Sequence, residues 1–139
     1  MNRNKLVPEL IVTDLNQSQI FWIDLLGFDV LYQRKEENFL YLDLKGVQFM
    51  LEQQQDEQWI TSELSYPLGR GINFQIEVEE IDPILFRLTQ ANWPLYQVLE
   101  ERWYRVDNIE HGQQQCLVQD PDGYLLRFIQ ILGDRPIDS

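Results

Sequence analysis

The sequence predicts an α+β fold built from two tandem βαβββ modules. Each half of the chain shows the same order of elements, a strand, a helix and three strands. Asp14 and Asp82 each precede an apolar helical segment. Leu31-Tyr32-Gln33 and Leu95-Tyr96-Gln97 each fall in the strand that follows the helix. The repeated order and the matching residues together indicate a duplicated unit.

The chain length fits a single domain that contains both modules. A chain of 139 residues is long enough to bury one hydrophobic core. We place the first module at about 5–53 and the second at about 70–132 of a domain spanning 1–139. The polar, glutamine-rich stretch at about 54–69 is then the linker between them.

The elements of the first module follow from local residue patterns. Leu6–Thr13 is rich in β-branched residues and predicts a strand. Asp14 is suited to cap a helix over Leu15–Leu26, which Gly27 ends. Three further strands are predicted at Phe28–Arg34, Phe39–Leu44 and Val47–Gln53.

The second module repeats these signals. Gly71–Glu80 predicts its first strand, and Asp82-Pro83 predicts the cap and first turn of its helix, where proline is tolerated. The segment Asp120–Gly123 is a strong turn signal. The remaining strands are predicted at Pro94–Leu99, Gln113–Gln119 and Tyr124–Leu132.

The charge and cysteine content restrict the classes of function. A formal net charge of −12 repels nucleic acid and anionic membranes, so we expect neither as a partner. The acidity either keeps the protein soluble or attracts a cationic ligand. One cysteine, Cys116, excludes an internal disulfide framework. No apolar run approaches a membrane span and no signal-peptide pattern opens the chain, so we expect a cytoplasmic protein.

Motifs in both halves resemble one known superfamily. The matching residues are Val12–Leu15, Ser18, Phe21-Trp22, Leu25–Phe28, Trp103–Arg105, Gly112 and Asp120–Phe128. They resemble the glyoxalase/bleomycin-resistance/extradiol-dioxygenase superfamily, also called vicinal oxygen chelate, and most closely its bleomycin-resistance members. The resemblance implies that the modules' sheets curl into a cup and that the chain forms a homodimer. In metal-dependent members the cup holds a divalent ion through His, Gln and Glu ligands.

The resemblance places unsuitable residues at the usual metal positions. The position seven residues before Asp14 is Val7, which has no lone pair. The other two positions carry Asn73, a neutral amide, and Arg127, a permanent cation that repels metal ions. Glu52 alone matches a ligand, and one carboxylate does not hold a transition metal. We therefore expect no metal and no cofactor.

The residues that replace the metal ligands predict a polar cluster in the cup. Glu9 shares a strand face with Val7, because alternate residues of a strand point the same way. Glu52, Asn73 and Arg127 join it on the implied alignment. Arg127 then either neutralises Glu9 or Glu52 to hold the cup together, or binds a carboxylate or keto oxygen of a ligand while the glutamates bind an amine.

Aromatic residues near predicted loops and edges extend the candidate site. Trp59, Trp103 and Tyr104 are placed where they can stack on a planar ligand and attract a cation. Ordinary packing is the alternative for Trp59 and Trp103. Bleomycin-type antibiotics are cationic and have planar tails, and the resemblance implies clefts for them at the dimer interface.

Three functions remain open at this point. The first is a metal-free protein that sequesters a cationic or amphipathic small molecule, such as a bleomycin-like antibiotic, and thereby gives resistance; no catalytic residue is then required. The second is a lyase or isomerase with Glu9 or Glu52 as general base and Arg127 as oxyanion stabiliser. The third is a member with a housekeeping ligand unrelated to antibiotics.

Overall fold

A computed structural model describes residues 2–137. Those residues form two four-stranded mixed sheets and two α-helices, so the predicted α+β class with two tandem modules is confirmed. The described residues divide into two compact units. The first unit comprises 2–70 and 120–124, and the second comprises 71–119 and 125–137. None of the helices within 2–137 has the length and apolar character needed to span a bilayer.

The first sheet has the strand order β1-β4-β3-β2. Strand β1 pairs with β4 in parallel, and the other pairs are antiparallel. The elements are β1 (Glu9–Val12), α1 (Leu15–Gln19) with a π-helical continuation (Ile20–Leu25), β2 (Asp29–Arg34), a 3₁₀ turn (Lys35–Glu37), β3 (Phe39–Leu44) and β4 (Val47–Gln53).

Helix α1 begins as the sequence predicts but does not continue as an α-helix. The Asp14 carboxylate accepts hydrogen bonds from the backbone N–H groups of Asn16 and Gln17, at 3.0 and 3.3 Å, and so caps the first turn. The helix predicted over Leu15–Leu26 is present to Leu25, but its type changes because the chain widens into a π-helix over Ile20–Leu25. The Leu26 N–H then bonds to the Phe21 carbonyl, five residues back.

The wide turn directs large side chains into one core. Phe21 and Trp22 are both fully buried although they are consecutive. The Trp22 ring lies 5.3 Å from Phe28 and 5.0 Å from Phe49 of β4 between ring centroids. The α1 segment therefore covers the face of the sheet that carries Phe49, and the opposite face carries no helix of this unit.

The Asp-Pro-Asp-Gly turn packs with the first unit and fixes the end of β1. Asp122 accepts a hydrogen bond from the Thr13 hydroxyl at 2.6 Å, and the Tyr124 hydroxyl donates to the Ile11 carbonyl at 2.8 Å. Asp120 is 2% exposed and accepts from Trp22 Nε1 at 3.2 Å. Burial raises the pKa of Asp120 to about 6 despite these hydrogen bonds.

The second sheet has the strand order β5-β8-β7-β6. Strand β5 is parallel to β8, and the other pairs are antiparallel. The backbone N–H of Ile81 donates to the Gln130 side chain, so α2 begins beside the face of β8 that carries Gln130. The elements are β5 (Asn73–Glu77), α2 (Asp82–Gln90), β6 (Gln97–Val106), β7 (Ile109–Gln119) and β8 (Leu125–Pro136).

Two expectations for the second module are wrong in detail. Ile81, not Asp82, occupies the cap position of α2, and no side chain caps it; Pro83 does lie in the first turn. Strand β6 runs over Gln97–Val106 rather than Pro94–Leu99. Its charged, mostly exposed residues look like a loop in sequence, but β6 is held by a long antiparallel pairing with β7.

Candidate ligand-binding faces

The helix-free side of the first sheet gathers aromatic and acidic side chains. Cross-strand partners share a face of a sheet. This side is defined by the pairs Ile11 with Glu52, Phe39 with Glu52 and Tyr32 with Tyr41. We call it the aromatic face. It includes Glu9 and Ile11 of β1, Tyr32 and Arg34 of β2, Phe39, Tyr41 and Asp43 of β3, and Gln48, Met50 and Glu52 of β4.

Three rings form a continuous layer on the aromatic face. Tyr32 stacks on Tyr41 with centroids 5.1 Å apart and an interplanar angle of 24°, and it lies 5.9 Å from Phe39. The Arg34 guanidinium lies 3.9 Å from the Phe39 ring centroid and pairs with Glu37 at 2.6 Å. The Arg34–Phe39 contact is a cation–π interaction of the kind that an aromatic layer offers to a positive, planar group.

Two of the sequence-predicted residues, Glu9 and Glu52, border these rings. Burial of its carboxyl raises the pKa of Glu9, the nearby Glu52 raises it further, and Arg34 opposes the shift. Glu52 Oε1 accepts hydrogen bonds from Gln58 Nε2 at 2.7 Å and Gln55 Nε2 at 3.2 Å. The two carboxylates therefore repel each other and favour a bound cation.

An open groove of about 880 Å³ lies against the aromatic face. Tyr32, Tyr41 and Met50 form one side, and the segment Asn2–Lys5 with Val7 forms the other. The volume is within the range of pockets for drug-sized ligands. Trp59, which the sequence predicts as a ligand contact, is 96% exposed in the loop after β4.

The helix-free side of the second sheet has a different chemistry. Strand pairing defines this face. Gln75 and Leu117 pair with Arg127, and Glu100 and Arg102 pair with glutamines of β7. We call it the glutamine face. It consists of Asn73, Gln75 and Glu77 of β5, Gln97, Glu100, Arg102 and Tyr104 of β6, Gln113, Gln115 and Leu117 of β7, and Arg127 and Ile129 of β8.

A hydrogen-bonded network centred on Gln115 crosses the glutamine face. Gln115 Oε1 accepts from Gln113 Nε2 at 2.9 Å and from the Tyr104 hydroxyl at 3.0 Å. Gln115 Nε2 donates to Glu100 at 2.9 Å, and Arg102 also donates to that carboxylate. The bonds from Gln115 and then Arg102 lower the pKa of Glu100. Both glutamines are buried, so the network is part of the fold as well as a polar surface.

The predicted residues Asn73 and Arg127 both lie on the glutamine face. Asn73 starts β5 opposite Leu125 and is exposed. Arg127 lies between Gln75 and Leu117, and its Nε is buried without a hydrogen-bond partner among residues 2–137. A buried donor of this kind is costly unless it is paired. The predicted pairing of Arg127 with Glu9 or Glu52 joins the two units and stays a prediction.

Trp103 and Tyr104, both predicted as ligand contacts, point in opposite directions because they are consecutive in β6. Tyr104 is on the glutamine face. Trp103 is on the other side, where its Nε1 donates to Glu101 and the Arg135 guanidinium lies 3.8 Å from its ring centroid. The ring also covers Gly112, where an added Cβ would meet it at 2.4 Å. One face therefore cannot be lined by both residues.

Sequence identity with a solved protein decides the family. A member of the glyoxalase/bleomycin resistance protein/dioxygenase superfamily from Vibrio splendidus 12B01 is 43% identical to this chain, over 91% of this chain and 97% of that one. This chain belongs to that superfamily. The TM-score for the pair is 0.42, so membership rests on the sequence identity alone.

Structures with lower sequence identity share the fold. TioX from Micromonospora sp. ML1 is 23% identical and superposes with a TM-score of 0.70 over 94% of this chain and all of that one. A glyoxalase/bleomycin resistance protein/dioxygenase from Alicyclobacillus acidocaldarius is 19% identical, with a TM-score of 0.63 over 93% of this chain and 92% of that one. No protein-family model and no curated protein matches this chain.

The residues at the superfamily's metal positions do not fit a divalent ion. Val7 offers no donor, and Arg127 brings a buried cationic donor to the position of the last carboxylate. Within residues 2–137, no group of three or more His, Cys, Asp or Glu side chains is arranged to hold a metal.

Sequence reasoning missed the aromatic layer and the glutamine network. Tyr32, Phe39 and Tyr41 were placed in the right strands, but their shared face depends on the pairing of β2 with β3 across a bulge. The alternation of Gln113, Gln115 and Leu117 was a usable signal, since alternate residues share a face.

Proposed function

We propose that this protein is a metal-free small-molecule-binding protein that sequesters a cationic or amphipathic ligand. Bleomycin resistance, which is part of the superfamily's name, is a function of this kind. The observation that carries the proposal is the aromatic face, where stacked Tyr32 and Tyr41 border two carboxylates and a groove of about 880 Å³. We further propose that it acts in the cytoplasm as a homodimer whose cleft includes this face.

The physical argument rests on two attractions that act on the same face of the sheet. Ring faces attract cations by about 0.5–2 kcal/mol, and more as the site loses water. The carboxylates of Glu9 and Glu52 add a Coulombic attraction for a cation. This attraction is strengthened because a bound cation also offsets the repulsion between the two carboxylates. The net charge of −12 raises the local concentration of any cation. The two carboxylates would repel an anionic ligand.

Calorimetric titration with a bleomycin tests this proposal. We expect binding at tens of micromolar protein or tighter, a range that calorimetry measures directly. Tyr32→Leu should weaken binding about 3- to 30-fold, the loss of one cation–ring contact. Tyr96→Leu is the matched control, because Tyr96 is 64% exposed and lies in the other unit; it should leave the affinity unchanged.

Two results would oppose the proposal. No heat with metal-free bleomycin would reject the antibiotic as ligand. An equal loss in Tyr32→Leu and Tyr96→Leu would reject the aromatic face as the binding site, whatever the ligand.

A second candidate function is proton transfer by Glu9. The raised pKa of its carboxyl is the observation that favours it, since a general base works best when its pKa approaches the working pH. In this alternative the protein is a lyase or isomerase that acts on a small oxygenated substrate.

Deuterium incorporation distinguishes the enzyme from the binding protein. Hydroxyacetone in D₂O should exchange its carbon-bound protons faster with the wild-type protein than with Glu9→Gln if Glu9 is a base. Glu80→Gln is the control, since Glu80 is exposed. Exchange at the buffer rate with all three proteins would leave binding as the function.

A further inference from the structure

The segment Asn2–Lys5 is bound to the aromatic face by one buried amide. The side chain of Gln48 is 5% exposed. Its Nε2 donates to the Asn2 carbonyl at 2.7 Å, and its Oε1 accepts from the Asn4 backbone N–H at 2.8 Å. Gln48 thus forms hydrogen bonds with one acceptor and one donor of the segment's main chain.

The segment completes the hydrogen bonding of Gln48. The other N–H of the amide donates to Asp43 at 3.0 Å, and the other lone pair accepts from the Tyr41 hydroxyl at 2.7 Å. A glutamine amide has two donors and two acceptor sites, so all four are used. Departure of Asn2–Lys5 would free one donor and one acceptor of the Gln48 amide, and another amide, with one N–H and one carbonyl, matches both of them.

The same segment brings cations to the aromatic groove. Arg3 and Lys5 line the groove together with Tyr32 and Tyr41. Each residue of Asn2–Lys5 is exposed, and besides its bonds to Gln48 the segment donates a hydrogen bond from Asn4 Nδ2 to the Gly46 carbonyl. The segment is therefore weakly held. A ligand that carries the same groups, a cation and an amide, would fit the place it occupies.

We propose that Gln48 and the Tyr32–Tyr41 pair form a subsite for a cationic amide, and that Asn2–Lys5 occupies this subsite as a competitor within the chain. The ligand displaces the segment and takes over its two hydrogen bonds to Gln48. The inference deepens the proposed function, because it assigns an amide as well as a positive charge to the sequestered molecule.

The test compares the full chain with a variant that lacks residues 2–5. Each protein, labelled with ¹⁵N, is titrated with Nα-acetyl-arginine methylamide and, separately, with a bleomycin. Deletion should tighten binding of both probes by roughly tenfold, the factor expected if the segment fills the subsite about 90% of the time. In the full chain, the probe should also shift the signal of the Asn4 backbone amide, because binding breaks the hydrogen bond from this amide to Gln48.

A double substitution keeps the test valid if the deletion lowers stability. Arg3→Gln with Lys5→Gln removes the cations but keeps both main-chain bonds to Gln48, and it should tighten binding about threefold or more. Arg105→Gln with Arg135→Gln removes the same charge from exposed positions in the other unit and should have no such effect.

The outcomes separate the inference from the proposed function. Tighter arginine-amide binding after deletion, with no bleomycin binding by either protein, would reject the antibiotic but retain the subsite. Equal bleomycin affinity in both proteins, with an unchanged Asn4 signal, would overturn the inference and retain the binding function. Weaker binding after deletion would make the segment a part of the site rather than its competitor, which also overturns the inference.

Discussion

The helix-free faces of the two sheets have the same architecture and opposite chemistry. In the first unit, the face carries stacked rings beside an open groove and two carboxylates, and the pKa of Glu9 is raised. In the second unit, amides join Tyr104 and Arg102 in one network, and the pKa of Glu100 is lowered. A repeated fold therefore sets where side chains point, while the residues at those points set what each face binds.

The difference extends to how each face is supported. The aromatic face depends on a turn, because Asp120–Tyr124 anchors both β1 and Trp22. The glutamine face is held by its own side-chain bonds around Gln115. Substitutions in the turn and in the network should therefore act on different faces.

The largest effect is expected from Gly123→Ala. Gly123 has φ +95°, and an added Cβ would lie 2.8 Å from the Pro67 backbone Cα. Strain and overpacking together should lower the free energy of unfolding by about 2–5 kcal/mol in urea denaturation. Gly46→Ala is the matched control, since Gly46 has the same φ with nothing within 4 Å; it should cost about 1–2 kcal/mol. Equal losses would show that the turn does not pack as described.

A second effect is a stability that falls as pH rises. The pKa of Asp120 is about 6 in the folded chain against 3.8 unfolded, so folding favours the protonated form. This contribution is fully present below about pH 4 and is lost as pH rises through 6, by about 3 kcal/mol at most. Urea denaturation from pH 4 to 7 should show this slope in the wild type and a flatter one in Asp120→Asn. Glu100 acts in the opposite direction, because its lowered pKa favours folding above the ordinary carboxyl pKa.

A third substitution breaks the glutamine network. Gln115→Leu leaves the Tyr104 hydroxyl and the Gln113 amide without their shared acceptor. The unfolding free energy should fall by about 1–3 kcal/mol, while affinity for a cationic ligand stays unchanged. Gln90→Leu, at an exposed helix end, is the control for the change in polarity. A large loss of ligand affinity in Gln115→Leu would move the binding site to the glutamine face.

The smallest effect is expected from Trp103→Leu. The substitution removes the contact of the Arg135 guanidinium with the ring, at 3.8 Å, which is worth about 0.5–1 kcal/mol at an exposed site. Thermal unfolding should detect this loss, and ligand affinity should not change. Loss of affinity without loss of stability would restore Trp103 as a ligand contact.

The sequence predicted the fold well because duplication and local signals agree. Asp14 caps α1 as predicted, and strands Phe39–Leu44 and Val47–Gln53 begin and end where expected. It failed where pairing overrides local preference, as in β6, whose charged residues are a strand only because β7 lies beside them.

The site was predicted only in part, for a related reason. Glu52 was predicted from the resemblance and Glu9 from its alternation with Val7, which the resemblance places in the cup, and both glutamates lie on the aromatic face. Tyr32 and Gln48 could not be assigned in this way. The role of Tyr32 depends on stacking with a neighbouring strand, and that of Gln48 on contact with a segment more than 40 positions away. Such contacts leave no local pattern.

Mapping of backbone amide shifts during a bleomycin titration is the most direct test that the aromatic face binds the ligand. The account predicts saturable shifts centred on Glu9, Tyr32, Tyr41 and Glu52, with no metal added. Shifts confined to Tyr104, Gln113 and Gln115, or shifts that appear only with a divalent metal, would contradict it.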